Sequence, residues 1–359
     1  MARTPRLAAP ARLIAVPLLA GTLAAAQAAT AAGAPPESPG RSASLSGLLS
    51  GVAATSAASA WAVGSTGGQR SKTIILRWNG AAWTRVRSPA VATYGYLYGV
   101  AATSARSAWA VGATDLGRDL ILHWNGRAWK VVPCPSPGGD AVFYHVAATS
   151  ATAAWAVGSA VGRPLIERWN GRAWKVVDGP RVAGGVLEGV AAVSASAAWA
   201  VGFSSAGTLI EHWNGHAWTQ VTSPSPGGAD ELSGVAVLSA RSAWAVGATI
   251  AGQTLIEHWN GRSWSRAASP SPGTFAGLAA VAVVSAHSAW AVGNAGSGQA
   301  LIVRWNGRSW QRVRSPAART SGYAAVAAGS ARSAWAVGST SHGTAHRTLI
   351  SRWNGTAWR

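Results

Sequence analysis

Short runs of alternating hydrophobic and polar residues fill residues 45–359, and they recur with a period of 44 to 48 residues. In one unit the runs are 99–102, 108–112, 120–124 and 128–132. Alternation with a period of two places successive side chains on opposite faces of a strand. Each unit is therefore predicted to form four short β-strands.

The sequence Trp124-Asn125-Gly126-Arg127-Ala128-Trp129 joins the last two strands of one unit, and equivalents occur in all seven units. Asn-Gly is the preferred pair for a two-residue β-hairpin turn, because both central residues need positive φ. Such a turn places Trp124 opposite Arg127 and Leu122 opposite Trp129, with Leu122 and both indoles on one face. Each hairpin is thus predicted to carry an apolar wedge that it cannot bury alone.

All 21 Trp of the chain fall in three columns of the repeat. The columns are Trp61, Trp109, Trp155, Trp199, Trp244, Trp290 and Trp335; Trp78, Trp124, Trp169, Trp213, Trp259, Trp305 and Trp353; and Trp83, Trp129, Trp174, Trp218, Trp264, Trp310 and Trp358. A buried Trp removes about 150–250 Å² from water. This regularity favours a structural role for the indoles over ligand stacking.

Four strands in every 44 to 48 residues are typical of a β-propeller blade, whereas a β-helix has a much shorter period. Each sheet has two apolar faces, so an open row of sheets leaves one face exposed at each end, and closure into a ring buries both. We therefore predict an all-β fold, a seven-bladed β-propeller with four antiparallel strands per blade, over residues 45–359. The last unit ends with its fourth strand incomplete, and residues 41–47 are a candidate to pair there.

The first 44 residues differ in composition from the repeats. Residues 1–28 resemble a secretory signal peptide, with three Arg before an apolar stretch and a small-residue cleavage motif at 26–28. An uncleaved anchor helix is the alternative, which the short, Ala-rich stretch disfavours. Residues 29–44 are rich in Pro, Ser and Gly and are predicted to be a flexible linker. We therefore expect a secreted protein with no membrane span after cleavage.

The formal net charge of +19 is carried mostly by Arg. By strand parity, the turns between first and second strands share one edge of the ring with the Asn-Gly turns. We call this edge the basic rim, and its arginines are Arg106, Arg127, Arg172, Arg241, Arg262, Arg308 and Arg332. Such a field attracts polyanions, and secretion favours acidic glycans or anionic envelope polymers over nucleic acid. The alternative is that the charge on this face serves only to keep the protein soluble.

The unit resembles secreted bacterial repeats of the form AWAVG … LIEHWNG-x-x-W. Its layout is similar to that of Asp-box (BNR) propellers, which include sialidases and Ycf48-like propellers. Gly126 and Trp129 match the Gly and Trp of the Asp-box hairpin, but Trp124 replaces its Asp and Leu122 its Ser or Thr. The resemblance covers residues 45–359 and implies a propeller. It implies no single function, because Asp-box propellers include both enzymes and binding proteins.

All five Tyr and Phe143 lie at or just before predicted first strands, in the second, third and seventh units. These strand entries share an edge with the variable loops between second and third strands. The rings are predicted to line a ligand-binding mouth at the central channel; the alternative is that they plug the channel or pack beneath loops. The candidate ligand-binding residues are Tyr96, Tyr98, Phe143, Tyr144, Tyr323, Arg118 and Arg163.

Acidic residues are scarce, with eleven in the chain, and glycosidases need two carboxylates at one centre. Glu167, Glu211 and Glu257 occupy one column, so we expect them at three places around the ring, each beside a neighbouring cation. Asp115 and Asp119 share a loop and are expected to be solvated. The eight His show no metal-ligand spacing, so no metal and no cofactor are expected.

Cys134 is the only cysteine, which excludes an internal disulfide. Neighbouring units have Ser at this position, so an incidental replacement of Ser by Cys is favoured over a role as a nucleophile.

The sequence as a whole indicates a monomeric, non-catalytic binding or scaffold propeller for a glycan, an anionic cell-envelope polymer or another protein. The alternative is a polysaccharide hydrolase or lyase with its site at the channel mouth. That activity needs two or more carboxylates, or a Tyr with a basic partner, at the mouth. Asp115, Asp119 or Asp140 within reach of Tyr98 or Tyr144 would favour it.

Overall fold

The computed structural model describes residues 45–359, apart from residues 69, 92, 115–116, 136–139, 225–227, 297 and 344. The described residues form seven antiparallel sheets, which are the blades of a ring, so the predicted seven-bladed all-β propeller is confirmed. The predicted signal peptide and linker lie outside the described residues. Within the described part of the chain, no helix has the length and apolar character that a membrane crossing requires.

The strands are numbered in chain order, and each of the first six blades has four. Blades 1 and 2 comprise β1 (Leu48–Ser56), β2 (Ser59–Ser65), β3 (Thr73–Trp78), β4 (Trp83–Arg85), β5 (Gly95–Ser104), β6 (Ser107–Thr114), β7 (Asp119–Trp124) and β8 (Trp129–Val131). Blades 3 and 4 comprise β9 (Val142–Ser150), β10 (Ala153–Ala160), β11 (Arg163–Trp169), β12 (Trp174–Val176), β13 (Val186–Ser194), β14 (Ala197–Ser204), β15 (Gly207–Trp213) and β16 (Trp218–Gln220). Blades 5 to 7 comprise β17 (Glu231–Ser239), β18 (Ser242–Ala248), β19 (Thr254–Trp259), β20 (Trp264–Arg266), β21 (Gly277–Ser285), β22 (Ser288–Ala295), β23 (Gln299–Trp305), β24 (Trp310–Val313), β25 (Ser321–Ser330), β26 (Ser333–His342) and β27 (Ala345–Trp353).

The first strand of each blade lies at the centre of the ring and the fourth at its circumference. Each first strand contacts the first strands of both neighbouring blades, and β25 contacts β1, which closes the circle. On β6, Trp109 and Val111 face blade 3, whereas Ala108 and Ala110 face blade 1. As predicted, the small residues on one face let the neighbouring blade approach closely.

The Asn-Gly turns are not the two-residue hairpins that the sequence predicts. Trp124 pairs with Trp129, so the turn comprises the four residues 125–128. Gly126 has a φ of 93°, but Asn125 does not have positive φ. Instead, the Asn125 side-chain oxygen accepts hydrogen bonds of 3.0 Å from the two N–H groups that follow the glycine. An Asn side chain therefore stabilises this turn, and only the glycine adopts left-handed backbone. The predicted faces remain correct, because a directly opposed pair shares one face.

Seven Trp triads fill the seams between blades. In the seam between blades 1 and 2, the Trp61 ring centroid lies 5.0 Å from that of Trp124 and 5.1 Å from that of Trp129. The second contact is edge-to-face at 86°, a favourable arrangement of aromatic quadrupoles. The other six seams repeat this geometry, including the seam that closes the ring. The indoles therefore hold neighbouring blades together.

An Arg or His of each third strand covers a triad. The Arg77 guanidinium lies 5.2 Å from the Trp61 ring and 5.6 Å from the Trp124 ring, and the His123 ring lies 4.2 Å from Trp109. Both side-chain types are planar and stack on indole. This shared role explains why the two types interchange in the repeat. The column comprises Arg77, His123, Arg168, His212, His258, Arg304 and Arg352.

Two segments far apart in sequence complete the outer edge of blade 7. Residues 358–359 pair with residues 352–353 of β27 and form a remnant of a fourth strand. Residues 45–47 pair with residues 346–348 of the same strand through backbone hydrogen bonds of 2.8 and 2.9 Å. The segment before β1 therefore extends the outer edge of blade 7, and the ring closes through hydrogen bonds as well as through a Trp triad.

Candidate functional site

A β-bulge interrupts the pairing of first and second strands at the same place in every blade. In blade 2, Leu97 and Gly99 pair with consecutive residues of β6, which leaves Tyr98 as the extra residue. Bulges re-aim the side chains that they carry. Because the first strands are innermost, the bulge side chains are directed to the centre of the ring. They belong to Ser50, Tyr98, Tyr144, Glu188, Ser233, Ala279 and Ala324.

The bulge tyrosines of blades 2 and 3 touch each other. The Tyr98 ring centroid lies 5.7 Å from that of Tyr144 and 6.4 Å from that of Tyr96, to which it is parallel within 5°. All three side chains are partly buried. Burial, and then the proximity of Tyr144 and Tyr96, raises the pKa of Tyr98 to about 12. The Tyr98 phenol is therefore neutral at physiological pH and can both donate and accept a hydrogen bond.

Glu188 and Glu231 extend this row into blades 4 and 5. Burial, and then repulsion from Glu231, raises the pKa of Glu188 to about 7, while a hydrogen bond from Ser233 acts in the opposite direction. Burial also raises the pKa of Glu231. The pKa of Tyr144 is raised by burial and by nearby Glu188. We define the central cluster as Tyr96, Tyr98, Tyr144, Glu188, Glu231 and Ser233.

Two candidate residues do not join the central cluster, contrary to the prediction. Phe143 is fully buried in the seam between blades 2 and 3. Tyr323 is buried in the seam between blades 6 and 7, where its hydroxyl lies 2.7 Å from Ser351 Oγ. Both occupy the strand position of Leu97, one residue before the bulge. Alternation along the strand therefore directs them into the seams.

The two candidate arginines are exposed. Arg118 and Arg163 occupy the hairpins between second and third strands in blades 2 and 3. Among the described residues, no hydrogen bond or ring contact joins them to Tyr98 or Tyr144. Asp140, a possible catalytic carboxylate, is exposed beside Gly117. The prediction that these residues meet at one mouth is therefore not supported by direct contacts.

The basic rim has the geometry that strand parity predicts. A Cβ built on Gly126 would lie 3.5 Å from Arg106 Cβ, and one on Gly261 would lie 3.2 Å from Arg241 Cβ. The Asn-Gly turns thus adjoin the turns between first and second strands in the same blade. All seven rim arginines are exposed. The rim presents its guanidinium groups to solvent.

The three column glutamates do not pair with the cation that follows each of them in sequence, contrary to expectation, although Arg266 of the adjacent strand lies near Glu257 and acts to lower its pKa. Glu167, Glu211 and Glu257 are completely buried in three successive seams. The residue that follows each one points to the opposite face of its strand, as Arg168 does when it covers the Trp155 ring. The expectation considered proximity in sequence, whereas alternation separates consecutive side chains.

Burial favours the protonated form of these carboxyls. It raises the pKa of Glu167 and of Glu211 to about 8 and that of Glu257 to about 7, with repulsion from Asp119 adding to the effect at Glu167. Ser223 Oγ lies 2.9 and 3.0 Å from the two carboxyl oxygens of Glu257. Among the described residues, the carboxyls of Glu167 and Glu211 have no hydrogen-bond partner. Each of these three seams therefore contains a buried carboxyl group that can bind a proton.

Cys134 is partly buried beside one of these seams. Burial, and then nearby Asp119 and Glu167, raises the pKa of its thiol far above the usual range. The thiolate is the reactive form of cysteine, so this side chain is a poor nucleophile, as the repeat suggests. Asp119 is 8% exposed rather than solvated, contrary to expectation, and lies beside Cys134 rather than in the central cluster. Asp115 lies outside the described residues.

In the part of the chain that the structure describes, no three His, Cys, Asp or Glu side chains come together in a way that could hold a metal ion. The central cluster instead offers aromatic faces, phenol and serine hydroxyls, and a carboxyl with a pKa near neutrality. These groups suit hydrogen bonding and ring stacking with a polar organic ligand.

No protein-family model matches the chain, and no curated protein matches it. Solved structures do resemble it. "YCF48 bound to D1 peptide" has a TM-score of 0.59 at 15% identity over 87% of this chain and 96% of the other. Virginiamycin B lyase from Staphylococcus aureus has a TM-score of 0.62 at 15% identity over 84% and 94%. A six-bladed fungal lectin from Aleuria aurantia, with a fucose recognition mode, has a TM-score of 0.52 at 12% identity over 75% and 95%. Identities this low show the propeller fold alone.

Sequence reasoning missed Glu188, Glu231 and Ser233. The signal that reveals Glu188 and Ser233 is the repeat itself, since the two residues align with Tyr98 and Tyr144 once the seven first strands are superposed. Glu188 is the one Glu in a repeat position that is otherwise Tyr, Ser or Ala, so no sequence motif marks it. Only the β-bulge in the structure indicates that this position faces the centre of the ring.

Proposed function

We propose that this protein is a secreted, non-catalytic binding propeller that holds a glycan at its central cluster. The observation that carries the proposal is the ring of bulges, which brings Tyr98, Tyr144 and Glu188 together from three blades. Aromatic rings provide large, rigid contact faces, and the adjacent hydroxyl and carboxyl groups provide hydrogen bonds. A sugar ring presents the complementary apolar face and hydroxyl groups.

The structural neighbours support a binding role without indicating the ligand. One neighbour holds a bound peptide and another recognises fucose. A shared fold does not transfer function, so the ligand class rests on the chemistry of the central cluster. A partly water-accessible group of aromatic and polar side chains at the centre of a propeller fits a small polar ligand better than a flat protein surface.

A glycan array probed with the labelled full chain tests this proposal. Hits are then titrated by calorimetry against the wild type, Tyr98→Ala, Tyr144→Ala and Tyr94→Ala. The cluster variants are expected to weaken binding at least about tenfold, or about 1.4 kcal/mol. Tyr94→Ala is the matched control, because it removes a partly buried Tyr from the same segment outside the cluster, and a change below about twofold is expected. Wild-type affinity in both cluster variants contradicts the proposal.

Glu188 favours a second candidate function, a polysaccharide hydrolase or lyase. A carboxyl with a pKa near 7 can exchange a proton at the operating pH. Glu231 lies close enough to raise the pKa of Glu188, and Glu188 lies close enough to raise the pKa of Tyr144. Glycosidases use such carboxyl pairs. Incubation of every glycan that binds with the full chain, followed by assays for new reducing ends and for unsaturated products, tests this function. Turnover that Glu188→Gln abolishes without loss of binding supports an enzyme; no turnover of any bound glycan supports a binding protein.

The basic rim supports an anionic cell-envelope polymer as a ligand of a second surface. Its exposed arginines attract polyanions through a field that salt screens. We expect retention on purified cell-wall material to fall steeply as the NaCl concentration rises from about 50 mM to about 500 mM. Replacement of Arg106, Arg127 and Arg172 by Gln should reduce the steepness of that dependence. Retention that salt does not change contradicts a role for the rim.

Secretion is tested directly by expression of the full chain and sequencing of the protein recovered from the medium. We expect the mature amino terminus to lie close to residue 29, after the predicted cleavage motif. Recovery of the uncleaved chain in the membrane fraction favours the anchor alternative. The solution mass of the mature protein tests the expected monomer.

A further inference from the structure

The charges are unevenly distributed around the ring. Residues 258–359, which cover the end of blade 5 and all of blades 6 and 7, contain eleven Arg and no Asp or Glu. Residues 45–114, which continue from blade 7 through the closing seam, contain no Asp or Glu either. Blades 6 and 7 therefore supply no acidic side chain with which their arginines could pair. An arc of net positive charge covers three consecutive blades.

Three of these arginines line a cavity of about 410 Å³ at the outer edge of blade 6. Arg312, Arg314 and Arg319 line it together with Gln299 and other residues, and all three arginines are exposed. Among the described residues that line the cavity, none is an Asp or Glu. Three arginines thus line one cavity and give it a positive charge that favours an anion.

β24 carries Arg312 at the outer edge of blade 6. Val313 pairs with Ile302 and packs into the seam between blades 6 and 7. Alternation then places Arg312, and Arg314 just after the strand, together on the opposite face. Two of the three arginines therefore extend from the same side of this blade edge.

The connection that carries Arg319 is pinned at both ends. Ser315 Oγ accepts a hydrogen bond from the Ala317 N–H at 3.2 Å and lies 3.4 Å from the Tyr323 hydroxyl. Thr320 Oγ1 donates to the Ser341 carbonyl at 2.8 Å. These bonds hold the backbone between β24 and β25 that carries Arg314 and Arg319. A backbone that is already ordered lowers part of the entropic cost of binding.

We propose that this cavity is a binding site for a phosphate-class oxyanion, such as a phosphate group of an anionic polymer. Guanidinium groups match phosphate oxygens with pairs of parallel N–H donors, and three of them surround a tetrahedral anion. The site goes beyond the proposed function, because it uses neither the central cluster nor the basic rim. In blade 6 the rim residue is Arg308, in the turn that precedes β24, whereas the cavity lies beyond the other end of that strand.

Calorimetric titration of the full chain with inorganic phosphate, and then with a short polyphosphate, tests the site. The variants are Arg314→Gln and the pair Arg312→Gln with Arg319→Gln. Arg87→Gln is the matched control, because it removes the same charge from an exposed residue at the equivalent position of blade 1, outside the basic rim and the cavity. We expect each cavity variant to weaken polyphosphate binding at least about fivefold, whereas Arg87→Gln changes it less than about twofold. Thermal unfolding should remain at the wild-type temperature in all variants, since the side chains are exposed.

Several outcomes overturn the proposal. Equal losses in Arg87→Gln and Arg314→Gln mean that the general positive field, not the cavity, binds the anion. Acetate that binds as tightly as phosphate at the same concentration means that the cavity is not a phosphate site. Absence of phosphate and polyphosphate binding at low salt excludes the site outright. Loss of binding in Tyr98→Ala alone assigns the anion to the central cluster, so failure of this site and failure of the proposed function are distinguishable.

Discussion

The indole of Trp335 in the last blade lies 4.9 Å from the indole of Trp78 in the first blade, tilted by 58°. Trp61 and Trp124, within the chain, meet at 5.0 Å and 56°. The seam that closes the ring is thus packed like the seams between consecutive blades. Because burial of the indoles stabilises each seam, all seven seams should contribute comparably to stability.

Trp335→Ala is therefore expected to destabilise the protein as much as the same change inside the chain. Trp335 and Trp155 are 3% and 2% exposed, and each meets two indoles of a neighbouring blade. Truncation of a buried Trp costs about 3–5 kcal/mol. Urea unfolding of Trp335→Ala, with Trp155→Ala as the matched control, checks this. A loss below about 1 kcal/mol for Trp335→Ala alone shows a loose closing seam.

Gly47→Ala is expected to weaken the segment that completes blade 7. Gly47 has a φ of 135°, and a Cβ there would lie 2.5 Å from the Ser65 carbonyl oxygen and 2.6 Å from Ile74 Cδ1. The clash and the backbone strain together predict a loss of about 2–4 kcal/mol. Gly68→Ala is the control, since Gly68 also has positive φ but a Cβ added to it would have no described atom within 4 Å. Equal melting temperatures of the two variants refute the packing argument.

The buried seam glutamates predict that stability falls as pH rises. Burial raises the pKa of Glu211 to about 8 in the folded state, from a usual value of 4.5. The folded state therefore binds more protons than the unfolded chain, and the stability present at low pH is lost as pH rises through 8. Each such glutamate contributes a loss of up to about 1.4 kcal/mol per pH unit.

Urea unfolding at pH values of about 6.5, 7.5 and 8.5 measures this dependence. Burial lowers the pKa of His123, His212 and His258, which makes stability rise with pH over part of this range, so the effect of Glu211 is read from the difference between wild type and variant. Glu211→Gln is expected to lose less stability than the wild type as pH rises, whereas Asp178→Asn, which removes an exposed carboxylate, leaves the slope unchanged. Equal pH profiles of the wild type and Glu211→Gln contradict the buried-acid account.

Gly179→Ser is expected to give Glu211 the partner that Glu257 already has. Gly179 occupies the place in blade 3 that Ser223 occupies in blade 4, and a Cβ on it would lie 3.3 Å from Glu211 Oε2. A serine hydroxyl there can donate to the carboxyl, which should lower the pKa of Glu211 as Ser223 lowers that of Glu257. Titration of the carboxyl by NMR in the wild type and in Gly179→Ser checks the direction. A higher pKa in the variant contradicts the assigned partner.

Arg168→Ala is expected to cost about 1–2 kcal/mol, and Arg168→His should restore most of it. The Arg168 guanidinium lies 5.1 Å from Trp155 and 5.5 Å from Trp213, and donates to the Ala195 carbonyl at 3.2 Å. A histidine already fills this position in three other seams, as at His212. Thermal unfolding of both variants compares them. Equal losses in the two variants show that stacking on the indoles is not the relevant contact.

Sequence alone predicts most of the fold, because the repeat, the strand alternation and the Trp columns are local signals with a single compatible architecture. The register predicted for the turn at Asn125 is wrong for a physical reason. An Asn-Gly pair fits both a left-handed two-residue turn and a four-residue turn capped by the Asn side chain, and the sequence is identical in the two cases.

Only part of the candidate site can be predicted from the sequence. Tyr98 and Tyr144 meet at the centre as predicted, but Phe143, one residue away, lies in a seam. A bulge adds one residue to a strand and changes which side chains face the centre, and no residue type marks it. Sequence analysis does not single out Glu188 for the same reason, because its place in the central cluster becomes apparent only when the seven bulges are superposed.

The pairing of residues 45–47 with residues 346–348 has a consequence for how the polypeptide matures. Leu45 and Thr348 are 303 positions apart, so the earliest-made part of the propeller must wait for almost the latest-made part. Contacts of such separation are slow to form because a long loop must be closed first. Six blades can stack as the chain emerges, but the circle completes last. A translation product that stops before β27 keeps two unsatisfied apolar faces, which is the signal that chaperones and proteases use to remove incomplete molecules.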